Sequence, residues 1–401
     1  MQQLSIKRRA ILNGLGGVLG TAALSACGGS GGGGDGQQVM PWQVPLSIHD
    51  PYPVVTVRLQ DRDTELLLDT GADGTVLDTG IARVLGLALS AETVPGSGGS
   101  GPSGEIRRAV VPRFAIGPAL RQDVPVYVTD FPREFAWDGV LGADFLQTHA
   151  VRIDYAQGLL NAVEASSQLH AGRLIGSGPS IAMQRHASGK LLVQADLDGI
   201  TGWFSVDTGA GQAVTVFRPA VERLGLRGRW GPGVRMTTGL TTGGLDRADC
   251  VRVPTLQLGG HRLKNPVVEL SLATAGLFGS DAWLGNIGGE VLRRFGIGID
   301  ASRGVLALQP NASIDQPFAG PRAGFLWRDT GEALQVVEVL SDGPAAAAGL
   351  MVGDLLQQVD DQPIGPEKGR LLRAALRAPP GTEVRLLTTL GPRVLVLKEL
   401  I

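Results

Sequence analysis

The chain contains the same unit twice, and this duplication constrains its fold more than any other feature. LLLDTGADGTVLDTGIARVLGL (66–87) lies over FSVDTGAGQAVTVFRPAVERLGL (204–226): an apolar run, Asp-Thr-Gly-Ala, a mixed stretch, then a short helical segment closing on Leu-Gly-Leu. Upstream, PVVTVRLQDRDTELLLD and KLLVQADLDGITGWFSVD each read as strand, polar turn, strand. Downstream, DGVLGADFLQTHAVRIDYAQGLL (138–160) parallels DAWLGNIGGEVLRRFGIGIDASRGVLAL (281–308) in its Leu-Gly, its following apolar segment and its Ile-Asp. Residues 41–165 and 185–310 therefore read, to within a few positions, as two copies of one β-rich unit. Fifty-nine glycines and only 5% aromatic residues agree with many turns and strands and few long helices.

Asp-Thr-Gly occurs four times, beginning at Asp69, Asp78, Asp207 and Asp329, and the duplication sorts these sites. Asp69 and Asp207 hold the same place in the two copies, whereas Asp78 and Asp329 have no counterpart. Asp78 precedes a helical stretch and reads as a turn or N-cap residue. Asp329 sits in RDTGEA, a polar turn beyond the second copy.

Two copies of apolar-apolar-Asp-Thr-Gly-Ala, each followed by a hydrophobic-hydrophobic-Gly segment, resemble the aspartic proteases. The short repeat and the DTGAD form are closer to the retropepsin branch than to pepsin. The resemblance implies a mainly β fold: two tandem retropepsin-like β-barrel lobes, closed on each other as a pseudo-dimer. It implies catalytic roles for Asp69 and Asp207, with Thr70 and Thr208 locking the two loops together. Gly71 and Gly209 would permit the sharp turn and donate N–H groups to the carboxylates. Val140-Leu141-Gly142 and Trp283-Leu284-Gly285 would pack beneath the loops. Pairing of each copy with its like in a second chain is the alternative arrangement. The lack of a long linker between the copies favours pairing within the chain.

The chemistry implied is proton sharing. Two ionised carboxylates about 4 Å apart repel by ~4 kcal/mol at an effective dielectric near 20. That separates their apparent pKa values by about 3, so the pair holds one proton over a broad acidic range. The ionised member can take a proton from water while the protonated member polarises a carbonyl. Flaps would close over the substrate; PGSGGSGPSG (95–104) and TTGLTTGGL (237–245) stand at the expected places. Neither carries the flap tyrosine of pepsin-like enzymes. Gly211 stands where the first copy has Asp73, which implies a substrate-binding carboxylate in one lobe only.

Beyond the copies, AGFLWRDTGEALQVVEVLSDGPAAAAGLMVGDLLQQVDDQPIG (323–365) resembles a bacterial PDZ domain, a small α+β barrel. Gly324, Phe325 and Leu326 would form the loop that receives a terminal carboxylate. LQVVEVL would be the edge strand that a peptide extends, and GRLLRAALRA the helix opposite. The domain organisation read from the sequence is 1–26 signal, 27–40 Gly-rich tether, 41–170 first lobe, 171–312 second lobe and 313–401 PDZ domain.

The N-terminal KRR, the apolar run behind it and LSAC resemble a bacterial lipoprotein signal, with Cys27 as the lipidated residue; Lys7 to Leu12 also looks like a twin-arginine export signal. The expected setting is the bacterial cell envelope, lipid-anchored, at the outer membrane facing the periplasm. Cys250 is expected to be a buried small hydrophobe. A net charge of −2 with scattered basic residues gives nucleic-acid binding no electrostatic support. The five histidines show no metal-ligand spacing, and neither metal nor cofactor is called for. The sequence thus reads as an aspartic endopeptidase acting on peptide or protein substrates, with a PDZ domain that takes a peptide or C-terminus. The alternative is an envelope lipoprotein whose degenerate lobes bind peptides without cutting them.

Overall fold

The computed structural model describes residues 40–96, 98–176, 179–241, 243–364 and 368–401; the signal, Cys27 and the body of the tether lie outside them. Among the described residues no helix is long and apolar enough to cross a membrane.

Each copy opens with a strand that serves two sheets. In Trp42–His49, the first half pairs with Leu159–Glu164 and the second half with Tyr52–Leu59. In Ser180–Arg185, the first half pairs with Val305–Pro310 and the second with Leu191–Leu197. Between these outer strands lie His149–Asp154 and Phe295–Asp300, one from each copy, joined antiparallel with Ile153 opposite Ile297 and Val151 opposite Ile299. Three strands from each copy thus form one continuous sheet, and the two copies close on each other within one chain. All four of those central side chains are fully buried, each contributing roughly 1.5–3 kcal/mol of burial.

Helix Gln168–Ile175 packs on this seam, with Ala171 and Ile175 joining Ala150, Val163 and Ala307. Gly298 makes room for it, since a Cβ there would lie 3.0 Å from the Ile175 backbone. The position 170/171, read as the lobe boundary, falls inside this helix.

Within each lobe a short strand is threaded between two others. Gly139–Leu141 runs parallel to Arg62–Leu68 and antiparallel to Val76–Asp78. Gly285–Ile287 does the same between Ile200–Val206 and Val214–Val216. This register corrects one expectation. Leu68 stands opposite Leu141, and Val206 stands opposite Ile287, so the counterpart of Val140-Leu141-Gly142 is Asn286-Ile287-Gly288. Trp283-Leu284-Gly285 lies three residues too early. Both Gly285 and Gly288 follow an apolar residue, and only strand pairing distinguishes them.

The third body is a five-strand sheet of Phe325–Asp329, Leu334–Val339, Leu355–Val359, Glu383–Thr388 and Gly391–Val396, in that order, with Gln362–Pro363 beside the third. Its core gathers Leu334, Val336, Leu356, Leu372, Val384 and Leu395 around the helix Lys368–Leu376. Here too the sequence reading needs correction. Leu334–Val339 is paired on both sides, and the edge strand is Phe325–Asp329. The β-branched run LQVVEVL signals a strand, but propensity carries no information about which strand has a free side.

Candidate active site

Leu66, Leu67 and Leu68, and Phe204 and Val206, are buried strand residues that deliver Asp69 and Asp207 to the ends of their strands. The two loops then follow the same pattern. Asp69 N–H donates to Leu141 O, and Asp207 N–H to Ile287 O, both at 3.0 Å. Each carboxylate accepts from its own loop: Gly71 N–H to Asp69 Oδ1 at 2.7 Å, and Gly209 N–H to Asp207 Oδ1 at 3.0 Å.

Thr70 and Thr208 lock the loops together. Thr70 N–H donates to Thr208 Oγ1 at 3.1 Å, and Thr208 N–H to Thr70 Oγ1 at 3.0 Å. Each hydroxyl then donates onward into the other lobe, Thr70 to Val206 O at 2.7 Å and Thr208 to Leu68 O at 2.6 Å. Both side chains are fully buried.

The glycines are needed for a reason other than the turn expected of them. Neither Gly71 nor Gly209 has a left-handed backbone. A Cβ on Gly71 would fall on the Asp207 carboxyl group, and one on Gly209 on the Asp69 carboxyl group. The two carboxyls are therefore placed reciprocally, each against the other loop, and they share a hydrogen bond. Burial, and then the Asp207 charge, push the Asp69 carboxyl well above the ordinary carboxylate range, while Lys190 pulls it back.

Three residues beside the pair were missed in the sequence. Lys190 reaches from the second lobe to Gly71 O and to Asp73 Oδ1, the latter at 2.7 Å. The Tyr52 hydroxyl reaches from the first lobe to Gly211. Asn286 Nδ2 donates to Asp207 Oδ2 at 2.8 Å. Lys190 and Tyr52 carry no local signal, but Asn286 is a polar residue inside the apolar run WLGNIGG and could have been noticed.

The two flap segments meet. Leu277 N–H donates to Gly98 O at 3.1 Å and Phe278 N–H to Gly99 O at 2.8 Å, carrying the first segment onto the second lobe. Ser100 Oγ is bonded to Asp246 Oδ1, and Gly98 and Gly101 abut Gly243. Burial raises Asp246 to about 6; behind it, burial followed by the Asp246 charge raises Glu269 to about 7.

The other two tripeptides behave as turn elements. Asp78 caps helix Thr79–Val84, accepting from Gly80 N–H at 2.7 Å. Asp329 ends the edge strand and accepts from Gly331 N–H at 2.7 Å. The loop expected over Gly324, Phe325 and Leu326 needs correction: only Gly324, with φ of +74°, precedes the edge strand, while Phe325 and Leu326 are its first residues, paired with Val339 and Glu338. Leu340 N–H donates to Gly324 O at 2.8 Å. Cys250 is buried, as expected of it.

Residues 55–145 and 193–282 match the aspartyl protease family, and residues 335–389 match the PDZ domain family. No curated protein matches the chain in sequence. Among solved structures, a retropepsin-like aspartic protease from Rickettsia conorii is 22% identical, covering 32% of this chain and 87% of its own, with a TM-score of 0.24. The aspartic proteinase of Irpex lacteus is 14% identical over 68% of this chain and 98% of its own, with a TM-score of 0.44. Basic 7S globulin from soybean is 10% identical over 68% of this chain and 95% of its own, with a TM-score of 0.37.

Proposed function

Starting from a chain built of two tandem aspartyl protease domains and a PDZ domain, we propose that it is an aspartic endopeptidase. It hydrolyses peptides or proteins by activating water between Asp69 and Asp207, and the PDZ domain captures a peptide. The observation that carries this reading is the reciprocal placement of the two carboxyls, each in the space that a side chain on the other loop's glycine would need.

Such a pair works because only one proton is bound between its members. Burial, and then the Asp207 charge, raise the Asp69 carboxyl well above the ordinary carboxylate range, which favours its holding the shared proton. One ionised oxygen takes a proton from water, the protonated partner supplies a hydrogen bond to the scissile carbonyl, and no cofactor is required. The threonine bonds hold the two loops at fixed separation, so the pair is organised before substrate arrives. Cys27 and the sequence before it support placing the enzyme on a lipid anchor in the bacterial cell envelope, at the outer membrane facing the periplasm.

The test is a peptide-library digest with purified full chain beside Asp69→Asn and Asp207→Asn. Cleavage by the unaltered protein, with a bell-shaped pH dependence and an acidic-to-mild optimum, and its loss in both variants is the expected result. Cleavage that survives either substitution would overturn the assignment.

A further inference from the structure

The surroundings of the two carboxyls are unequal, and the inequality is built by a chain of hydrogen bonds present in one lobe only. Trp283 Nε1–H donates to Ser205 Oγ at 3.1 Å. Ser205 Oγ lies 3.2 Å from Asn286 Oδ1, and Asn286 Nδ2 lies 2.8 Å from Asp207 Oδ2. All three side chains are buried, Asn286 completely.

The direction of this chain follows from its first member. An indole N–H can only donate, so the Ser205 oxygen accepts there, and its own proton goes to Asn286 Oδ1 at 3.2 Å, the nearer of its two acceptors, with Gly285 O at 3.4 Å. That sets the amide with its NH2 toward Asp207. An amide NH2 is a donor and favours a carboxylate over a carboxylic acid as its partner. Asp207 thus receives two donors, from Gly209 and Asn286. Asp69 receives its loop N–H and the hydrogen bond it shares with Asp207.

The first lobe lacks the same device. The matched strand registers place Trp137, Leu67 and Val140 where the second lobe has Trp283, Ser205 and Asn286. Trp137 Nε1 is buried without a partner among the described residues, as expected where leucine replaces the serine.

We propose that Asn286, oriented by Ser205 and Trp283, fixes the pair's negative charge on Asp207 and leaves its proton on Asp69. This rests on the protease reading and assigns the roles within it. Asp207 takes a proton from water as the water oxygen bonds to the scissile carbon, and Asp69 passes its proton to the carbonyl oxygen. The tetrahedral diol then breaks its C–N bond as Asp207 returns a proton to nitrogen and Asp69 recovers one from a hydroxyl. Asn286 is a positioning residue in this scheme. The other titratable groups acting on the pair are the Tyr52 and Tyr155 hydroxyls, both kept neutral by burial, and Lys190, which acts on Asp69; Arg373, Arg377 and Glu269 act on Tyr52.

The experiment compares pH profiles of kcat/KM for the full chain, Asn286→Val, which copies the first lobe, and Ser205→Ala, which leaves the amide but removes its orienting partner. Loss of one hydrogen bond to a charged group should move the acidic limb upward by about one pH unit in Asn286→Val, and by less in Ser205→Ala. An unmoved acidic limb in a folded Asn286→Val overturns the proposal; should that variant fail to fold, Ser205→Ala decides in the same way. Carboxyl 13C NMR of the aspartates separates this outcome from failure of the protease reading. If the unaltered chain cuts no peptide, charge appearing first on Asp207 and redistributing in Asn286→Val still supports the assignment. Charge appearing first on Asp69 refutes it.

Discussion

Tyr52 and Lys190 hold equivalent positions in the two copies, and each reaches across to the other lobe's aspartate loop. Val54 pairs with Leu67 two residues before Asp69, and Leu192 pairs with Ser205 two residues before Asp207, so the residues two before each, Tyr52 and Lys190, correspond. Lys190 binds Gly71 O and Asp73, while the Tyr52 hydroxyl abuts Gly211. The differences at both positions are matched: lysine meets aspartate on one side, and tyrosine meets glycine on the other. A duplicated fold has thus become an asymmetric site, each lobe contributing a residue that fits the other's loop.

Lys190→Met should move the basic limb of the activity profile to higher pH. Lys190 is the cation that draws the raised Asp69 carboxyl back down, so its loss lets Asp69 keep its proton longer. The ion pair itself contributes little stability, because Asp73 is 56% exposed; the cost should not exceed about 1 kcal/mol. Profiles of kcat/KM against pH check the first effect and urea unfolding the second. A basic limb that moves down would contradict the account.

Thr208→Val should destabilise the joined lobes by roughly 3 kcal/mol. The change removes the acceptor for Thr70 N–H and the donor to Leu68 O, both in the buried centre of the molecule. Each stranded group costs ~1–3 kcal/mol. Thr208→Ser retains the hydroxyl and should stay within about 1 kcal/mol of the parent. Denaturant midpoints for the two variants provide the comparison, and equal losses would mean that the hydroxyl is not what matters.

The two central aspartates, and the pairing of two copies in one chain, were legible because duplication shows in sequence as aligned motifs. What stood beside the aspartates was not. The supporting strand was misread by three residues, since Gly285 and Gly288 each follow an apolar residue, and choosing between them requires knowing that Val206 faces Ile287. With that register wrong, Asn286 could not be placed at Asp207. Lys190 and Tyr52 act across the lobe interface, where no local pattern records the partner. The PDZ domain was recognised from its glycines and alanines, but its edge strand was misassigned because β-branched content is the same signal for edge and interior strands.

Stability should fall as pH rises from about 4 to about 7, and Glu269 should account for much of the change. Its carboxyl is raised to about 7 by burial and by Asp246, whereas an unfolded glutamate titrates near 4.3. The folded chain therefore binds more protons than the unfolded chain across that window, and each step upward in pH favours unfolding. The contribution is fully present below the unfolded value and lost by the time the folded group ionises. A shift of this size corresponds to roughly 4 kcal/mol. Melting temperatures at pH 5 and pH 8 should differ in the unaltered protein and converge in Glu269→Gln, which can still accept from Thr215. A pH dependence unchanged in the variant would assign the effect elsewhere.

Glu134→Ala should strengthen peptide binding at the PDZ edge strand. A peptide extending Phe325–Asp329 needs the outward N–H groups of that strand, and Glu134 of the first lobe accepts from Asp329 N–H at 2.8 Å. Arg373, on the helix opposite, donates to Glu134 O at 3.4 Å and lies over the Trp327 ring at 5.1 Å, so the same loop touches both walls of the groove. Binding along the full strand must displace the Glu134 carboxylate. Removing one charge-assisted hydrogen bond from the competing state should raise affinity by up to about tenfold. Fluorescence polarisation with a labelled peptide selected on the unaltered chain measures this directly. Equal or weaker binding in Glu134→Ala would show that peptides bind without reaching Asp329, confining the groove to its Gly324 end.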